Sequence, residues 1–352
     1  MVNIFVDPVI IMAPSDHESE AEIEAWLDNL DMWLKEALTS PFSWLHSVQA
    51  TDHLQSSGRF PSFDLLRNWQ RRHQLDINPA QLAKNVNEFF RNLDFDLKHN
   101  LDKFEYDFEV KAGSISVSPV QFIARWPDSI LEDMQWLLVA TCVSKCLNHS
   151  ISRNLQIITL KLSQSEREIE VSATIVESLP DFPREANDEI TGIFPLLFTP
   201  DDLLPMIDVI ELWNKGEKGL SYAIKNQFKK DWRETVPQPL KFHIGSAFIE
   251  SVNNAGLDTN DTILRRIVRA AAAVIADQAK HSEGYKLHER RQSKAANSPQ
   301  YTRSRDNAKA WRLMIGKHGA GWRMHYWQIP TQEGSIIEFS NVVKESDDTI
   351  YE

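Results

Sequence analysis

The last forty-odd residues constrain the fold of this chain most. They read AWRLMIGKHGAGWRMHYWQIPTQEGSIIEFSNVVKESDDTIYE from Ala310 to the end. Three apolar-rich runs, 311–315, 322–329 and 335–343, are broken by Gly316 to Gly321 and by Pro330 to Gly334. Turn residues at such short intervals predict an antiparallel three-stranded meander. Successive strand side chains face opposite ways, so Trp322, Met324 and Tyr326 share one face and Arg323 and His325 the other. The first face needs an apolar cover. A predicted helix over 262–279, with Ile263, Ile267, Ala271 and Val274 as a stripe, supplies it. Arg323 and His325 are then expected to stay exposed.

The charge of the chain changes at the same place. Net charge is −12, but residues 262–325 hold 14 Lys and Arg against four Asp and Glu. Residues 1–240 hold 22 basic against 37 acidic side chains. A basic segment inside an acidic protein points to polyanion binding or to docking on an acidic surface. Its candidate contact residues are Lys286, His288, Arg290, Arg291, Arg303, Arg305, Arg312, Arg323 and His325, with Lys294 in the same loop.

Upstream, an acidic amphipathic helix follows a short apolar strand over 3–12, with Ser15 and Glu18 spaced as a capping box. Helices over 61–73 and from Pro79 follow, separated as in a helix-turn-helix but with few basic side chains on the second. Alternation over 104–110 and 114–118 predicts a hairpin, 128–147 a helix, and 155–162 and 169–176 two further strands. Pro- and acid-containing 178–187 is a candidate linker. The expected fold class is α+β in three parts: helical 1–103, a small antiparallel sheet with helices over 104–239, and 240–352 with two helices and the meander.

Several chemistries find little support. Glu109 and Lys111 form the E-x-K of metal-dependent nucleases, with Asp94 or Asp96 as the upstream acid, but the tripeptide is common by chance. Cys142 and Cys146 share one helical face and read as core thiols in a reducing compartment, without the partners a zinc site needs. His17, His46, His53 and His73 have no metal spacing. P-loop, dinucleotide, zincin and nucleophile-elbow motifs are absent from the sequence. No cofactor, metal or membrane span is expected, and the N-terminus lacks a basic n-region, so a cytoplasmic location is expected.

The order Leu287-His288-Glu289-Arg290, Trp311-Arg312-Leu313, Gly321-Trp322-Arg323-Met324-His325-Tyr326 and Ile350-Tyr351 resembles the RelE/ParE/HigB family of small toxins over about 110 of the 352 residues. The resemblance implies a two-helix and antiparallel-sheet domain. In its ribonuclease members, basic side chains surround a scissile phosphate and a terminal tyrosine assists. Arg312, Arg323 and Tyr351 would take those roles here. Met314 stands where a second cation is expected, and Glu345, Asp347 and Asp348 precede the tyrosine. Acids there would repel a phosphodiester, so the resemblance implies a scaffold that binds nucleic acid or a protein partner without cleaving. The implied setting is a bacterial multi-protein system of the toxin–antitoxin or antiphage kind. A ribonuclease and a scaffold docking through the acidic N-terminal region are the alternatives.

Overall fold

The apolar tetrapeptides NIFV at 3–6 and LQII at 155–158 are far apart in sequence and adjacent in space. A computed structural model describes residues 3–15, 18–92, 95–97, 101, 108–147, 155–161, 166–178, 188–206, 208–280, 286–293, 295, 297–316 and 321–351. The chain divides into two compact units, Met1–Met206 and Ile207–Glu352. The class is α+β, with two mixed sheets among the described residues. No helix among them is long and apolar enough to cross a membrane.

The first unit runs β1 (Asn3–Val6), α1 (Pro8–Ile11), α2 (Glu20–Thr39), β2 (Ser43–His46), α3 (Val48–Ser56), α4 (Phe63–His73), α5 (Pro79–Asn92), β3 (Phe95–Asp96), β4 (Phe108–Val110), β5 (Ser116–Ser118), α6 (Asp128–Cys146), β6 (Leu155–Ile158), β7 (Glu168–Ser178) and β8 (Glu189–Leu197). The capping box at the start of α2 is Ser19 with Glu22, four residues later than expected. One sheet takes the order β3–β2–β1–β6–β8–β7–β4, with β5 also on β7. It is parallel from β3 to β8 and antiparallel beyond.

This arrangement corrects the expected small antiparallel sheet. Strands from both sides of residue 103 join one sheet, and β4 and β5 pair with β7 rather than with each other. The strands β6 and β7 are likewise no hairpin. Both pair with β8, whose alternating burial went unrecognised in the sequence. Parallel neighbours need a crossover, so their pairing cannot be read from proximity along the chain. Short apolar runs such as β1 and β6 suit strands covered on both faces. Helix α6 lies on this sheet, with Met134, Leu138, Ile157 and Phe194 in one buried cluster. The expected linker lies largely outside the described residues.

The chain leaves β1 toward β2 and β3 on one side and returns as β6 on the other. Open parallel sheets bind ligands outside the carboxyl ends of strands at such a switch point. Here the position is filled by the protein itself. Asp7, at the end of β1, is fully buried. It accepts hydrogen bonds from Thr159 Oγ1 (2.5 Å), Trp126 Nε1 (2.8 Å) and the Val9 amide (3.2 Å). Arg125 Nη2 reaches its carboxylate at 3.3 Å and Thr159 Oγ1 at 2.8 Å. A guanidinium thus stands against the carboxylate that a cation would need.

The second unit runs α7 (Val209–Trp213), α8 (Gly216–Trp232), β9 (Lys241–Ile244), α9 (Phe248–Asn254), α10 (Asp261–Ile275), β10 (Leu287–Glu289), β11 (Lys309–Gly316), β12 (Trp322–Thr331) and β13 (Gly334–Lys344). The helices α7 and α8 pack on α10, so this unit begins about thirty residues before the expected 240. The prolines at 237 and 239 mark a turn within it. Its five-stranded sheet has the order β10–β11–β12–β13–β9, antiparallel through the meander and parallel between β13 and β9. Helix α10 starts at Asn260, whose Oδ1 accepts from the Ile263 amide. Its Ala270 to Ala273 are buried, and such small side chains let it sit close to its neighbours.

Candidate functional site

The meander has two covered faces. On one, Met324, Tyr326 and Phe339 are buried, and Phe339 packs against Phe248 of α9 at 5.9 Å between ring centroids. Trp322 is half-buried at the start of β12. On the other face, direct cross-strand pairing sets His288, Arg312, His325 and Asn341 in one row over β10 to β13. A bulge between His325 and Tyr326 inserts Ser340 into β13 and so shifts the pairing of the two halves. Arg323 belongs to this face, two residues before His325 on β12.

The chain from 345 to 351 folds back over that face. Its far end is held by neutral hydrogen bonds. Trp327 Nε1 and Ser340 Oγ donate to the Tyr351 carbonyl, each at 2.8 Å. Asn341 Nδ2 donates to the Thr349 carbonyl at 2.8 Å, and His325 Nδ1 does so at 2.9 Å. Its near end is held by charge. Asp348 Oδ1 accepts from Arg312 Nη1 and Arg323 Nη1, both at 3.2 Å. Arg290 Nε donates to the Asp348 carbonyl at 2.7 Å, and Glu345 Oε1 lies 3.2 Å from Arg323 Nη2.

Beside this charged end opens a cleft of about 950 Å³. Of the predicted contact residues, His288, Arg290, Arg291, Arg312 and Arg323 line it. Lys280 and Trp311 join them, with the ammonium 5.2 Å from the ring centroid. Lys280 lies just beyond α10, where only the fold could bring it to the cleft. Burial, and then the charges of Arg312, Arg323 and Lys286, hold the His288 imidazole below its ordinary pKa.

Four predicted contact residues stand elsewhere. Lys286 is exposed just before β10 and does not line the cleft. Arg303 corrects the sequence expectation outright, being 1% exposed. Its guanidinium donates to Glu338 at 2.7 and 3.0 Å and to Asp306 at 2.6 and 3.0 Å, and it stacks 4.8 Å from the Trp327 centroid. Arg305 is exposed beside the same carboxylates at 3.9 Å. His325 is the second correction, because the returning chain buries it completely, and the same chain leaves the Arg323 side chain, also expected to be exposed, only 16% exposed.

Burial pushes the His325 imidazole down to about 4, against an ordinary value of 6.5. Its Nδ1–H donates to Thr349, while Nε2 has no partner among the described residues. Between those two pH values the unfolded chain binds a proton that the folded unit refuses. This contribution to stability is therefore present above pH 6.5 and is lost as the pH falls through 4. It amounts to about 3 kcal/mol. Urea titrations read by hydrogen exchange on peptides from 309–343 should show that loss, and His325→Gln should flatten it. Equal acid sensitivity in both proteins would contradict the assignment.

The other candidate chemistries do not assemble. Tyr351 is exposed, does not line the cleft, and is tethered by its carbonyl at Trp327. Asp96 in β3 and Glu109 in β4 stand at opposite edges of the first sheet, and Asp94 lies outside the described residues. Among the described residues no three His, Cys, Asp or Glu side chains gather as metal ligands. The Cys142 thiol is pushed up to about 12 by burial, which suits a core thiol, whereas Cys146 is exposed and corrects that expectation for the second cysteine.

No family model, curated protein or solved structure matches the chain. What the cleft can do follows from its own chemistry. It offers guanidinium groups from three separate segments, an ammonium and an indole face, all within one concave surface. Such a set suits a ligand carrying several anionic groups and a planar one.

Proposed function

We propose that residues 207–352 bind a nucleic-acid strand through this cleft, without cleaving it. The observation that carries the reading is the convergence of Arg290, Arg312 and Arg323 with Lys280 and Trp311 on one concavity. Guanidinium and ammonium groups neutralise phosphates, and an indole ring accepts a stacked base of any sequence. The position of Tyr351 outside the cleft favours binding over the ribonuclease alternative. The proposed setting is a bacterial, cytosolic, multi-protein system of the toxin–antitoxin or antiphage kind. It rests on the resemblance of 240–352 to RelE/ParE/HigB toxins. The order of two helices, α9 and α10, before a meander supports that resemblance.

The test is a titration of labelled single-stranded RNA and DNA with the full chain at several salt concentrations. Each phosphate contact on a single strand steepens the dependence of log K on log salt by about 0.7. Three contacts would give a slope of roughly −2. Replacing Arg290 and Arg291 together by Ala should weaken binding and flatten the slope. Salt-independent binding, or binding indifferent to that replacement, would overturn the reading.

A further inference from the structure

We propose that Glu345 and Asp348 are internal stand-ins for ligand phosphates: they occupy the anion positions of the cleft and leave when a nucleic-acid phosphate arrives. This rests on the nucleic-acid reading and adds where the phosphate sits and what it must displace. Two separate observations support it.

The first is how differently the two ends of the returning segment are fastened. Residues 349–351 are gripped through backbone carbonyls by His325, Asn341, Trp327 and Ser340, all buried. Those bonds carry no net charge on either partner at neutral pH. The carboxylates of Glu345 and Asp348 are held by arginines that line an open cleft, and the Glu345 side chain is 52% exposed. The Glu345 pair is the exposed one and weakens with salt, while Asp348, 25% exposed, sits in a half-buried pair with Arg312 and Arg323. Rotating two side chains therefore frees Arg312 and the carboxylate-facing donors of Arg323, which keeps one bond to the Glu345 backbone carbonyl, while the strap over 349–351 stays in place.

The second is that the carboxylates leave a donor unused. The Asp348 side chain takes one N–H from Arg312 and one from Arg323 through a single oxygen. Arg312 Nε is buried and has no acceptor among the described residues. Buried donors without acceptors are uncommon in a finished site. A phosphate carries its acceptors around a tetrahedron and a base offers further acceptors at its edge. Either can meet donors that one carboxylate cannot reach. The acids that argue against phosphate binding in the sequence are then its placeholders.

The experiment compares three full-length proteins binding the same labelled single-stranded RNA and DNA. They are the unaltered chain, the charge-neutral Glu345→Gln/Asp348→Asn variant, and a control, Glu250→Gln/Glu333→Gln. The control loses the same charge away from the cleft and corrects for net charge alone. The two amide replacements keep side-chain size, and the 349–351 anchors are untouched. Affinity of the cleft variant should rise at least tenfold at low salt. Its salt dependence should steepen by roughly 1.4 as two arginines become free for phosphate. Equal affinity of the unaltered chain and the cleft variant would overturn the placeholder role and leave the nucleic-acid reading standing. An equal gain in the control would overturn it too, since net charge would then explain the effect. Failure of all three proteins to bind would overturn the nucleic-acid reading and this inference with it.

Discussion

Replacing Arg303 by Met should destabilise the second unit by about 3–5 kcal/mol, the cost of breaking a buried ion pair from one side. Arg303 looks like one more cation in a basic loop, yet it is buried under Trp327 and clamps Glu338 and Asp306. Removing it leaves the Glu338 carboxylate, buried in β13, with His243 and the more distant Arg305. A methionine of similar reach fills the space but offers no donor. Arg305, with a side chain 60% exposed and 3.9 Å from the same acids, provides the comparison. Arg305→Met should cost no more than about 1 kcal/mol. Because domains retain only about 5–15 kcal/mol, the first loss should show as a large fall in the urea midpoint of meander peptides. If the two replacements cost the same, Arg303 does not carry the buried network assigned to it.

Asp7→Ala should cost the first unit a similar 3–5 kcal/mol. The alanine removes the acceptor for Thr159, Trp126 and the Val9 amide together. It also leaves Arg125, whose side chain is only 24% exposed, without its counter-charge at the centre of the sheet. Unmet buried donors add to the loss, because nothing replaces the water they gave up. Lys35, paired with Asp31 on the outside of α2, is the exposed comparison, and Lys35→Ala should move stability by about 0.5 kcal/mol or less. Thermal or urea unfolding followed on peptides from β1 and β6 would measure both. A near-neutral Asp7→Ala would mean that the switch point is not held shut by this network.

Both replacements concern side chains whose role was invisible along the chain. Arg303 meets Glu338 35 residues away, and Asp7 meets Trp126 and Thr159 119 and 152 residues away. No local pattern announces such partners. The same holds for the cleft. The sequence singled out Arg290, Arg312 and Arg323, and they do converge. That Asp348 would already bridge two of them depends on a chain reversal after β13. Glu345 to Asp348 therefore read as a repulsive insertion in the sequence and stand as the arginines' partners in the fold.

The meander was legible because its signals are local. Period-two alternation sets the face of each side chain, and glycines mark the turns between the strands, so β11, β12 and β13 fall within a few residues of their expected limits, although Pro330 lies inside β12. Met324 and Tyr326 face the helices as that alternation requires. The sequence by itself thus determined an α+β chain closed by a meander with a basic approach. Only the tertiary structure decided the strand order of the first sheet, since parallel pairing is chosen by crossovers and not by neighbours. It alone decided that His325 is buried, because alternation assigns a face but not what lies over it. And it alone decided which cations still face solvent, since burial and pairing belong to the folded surface and not to the count of charges.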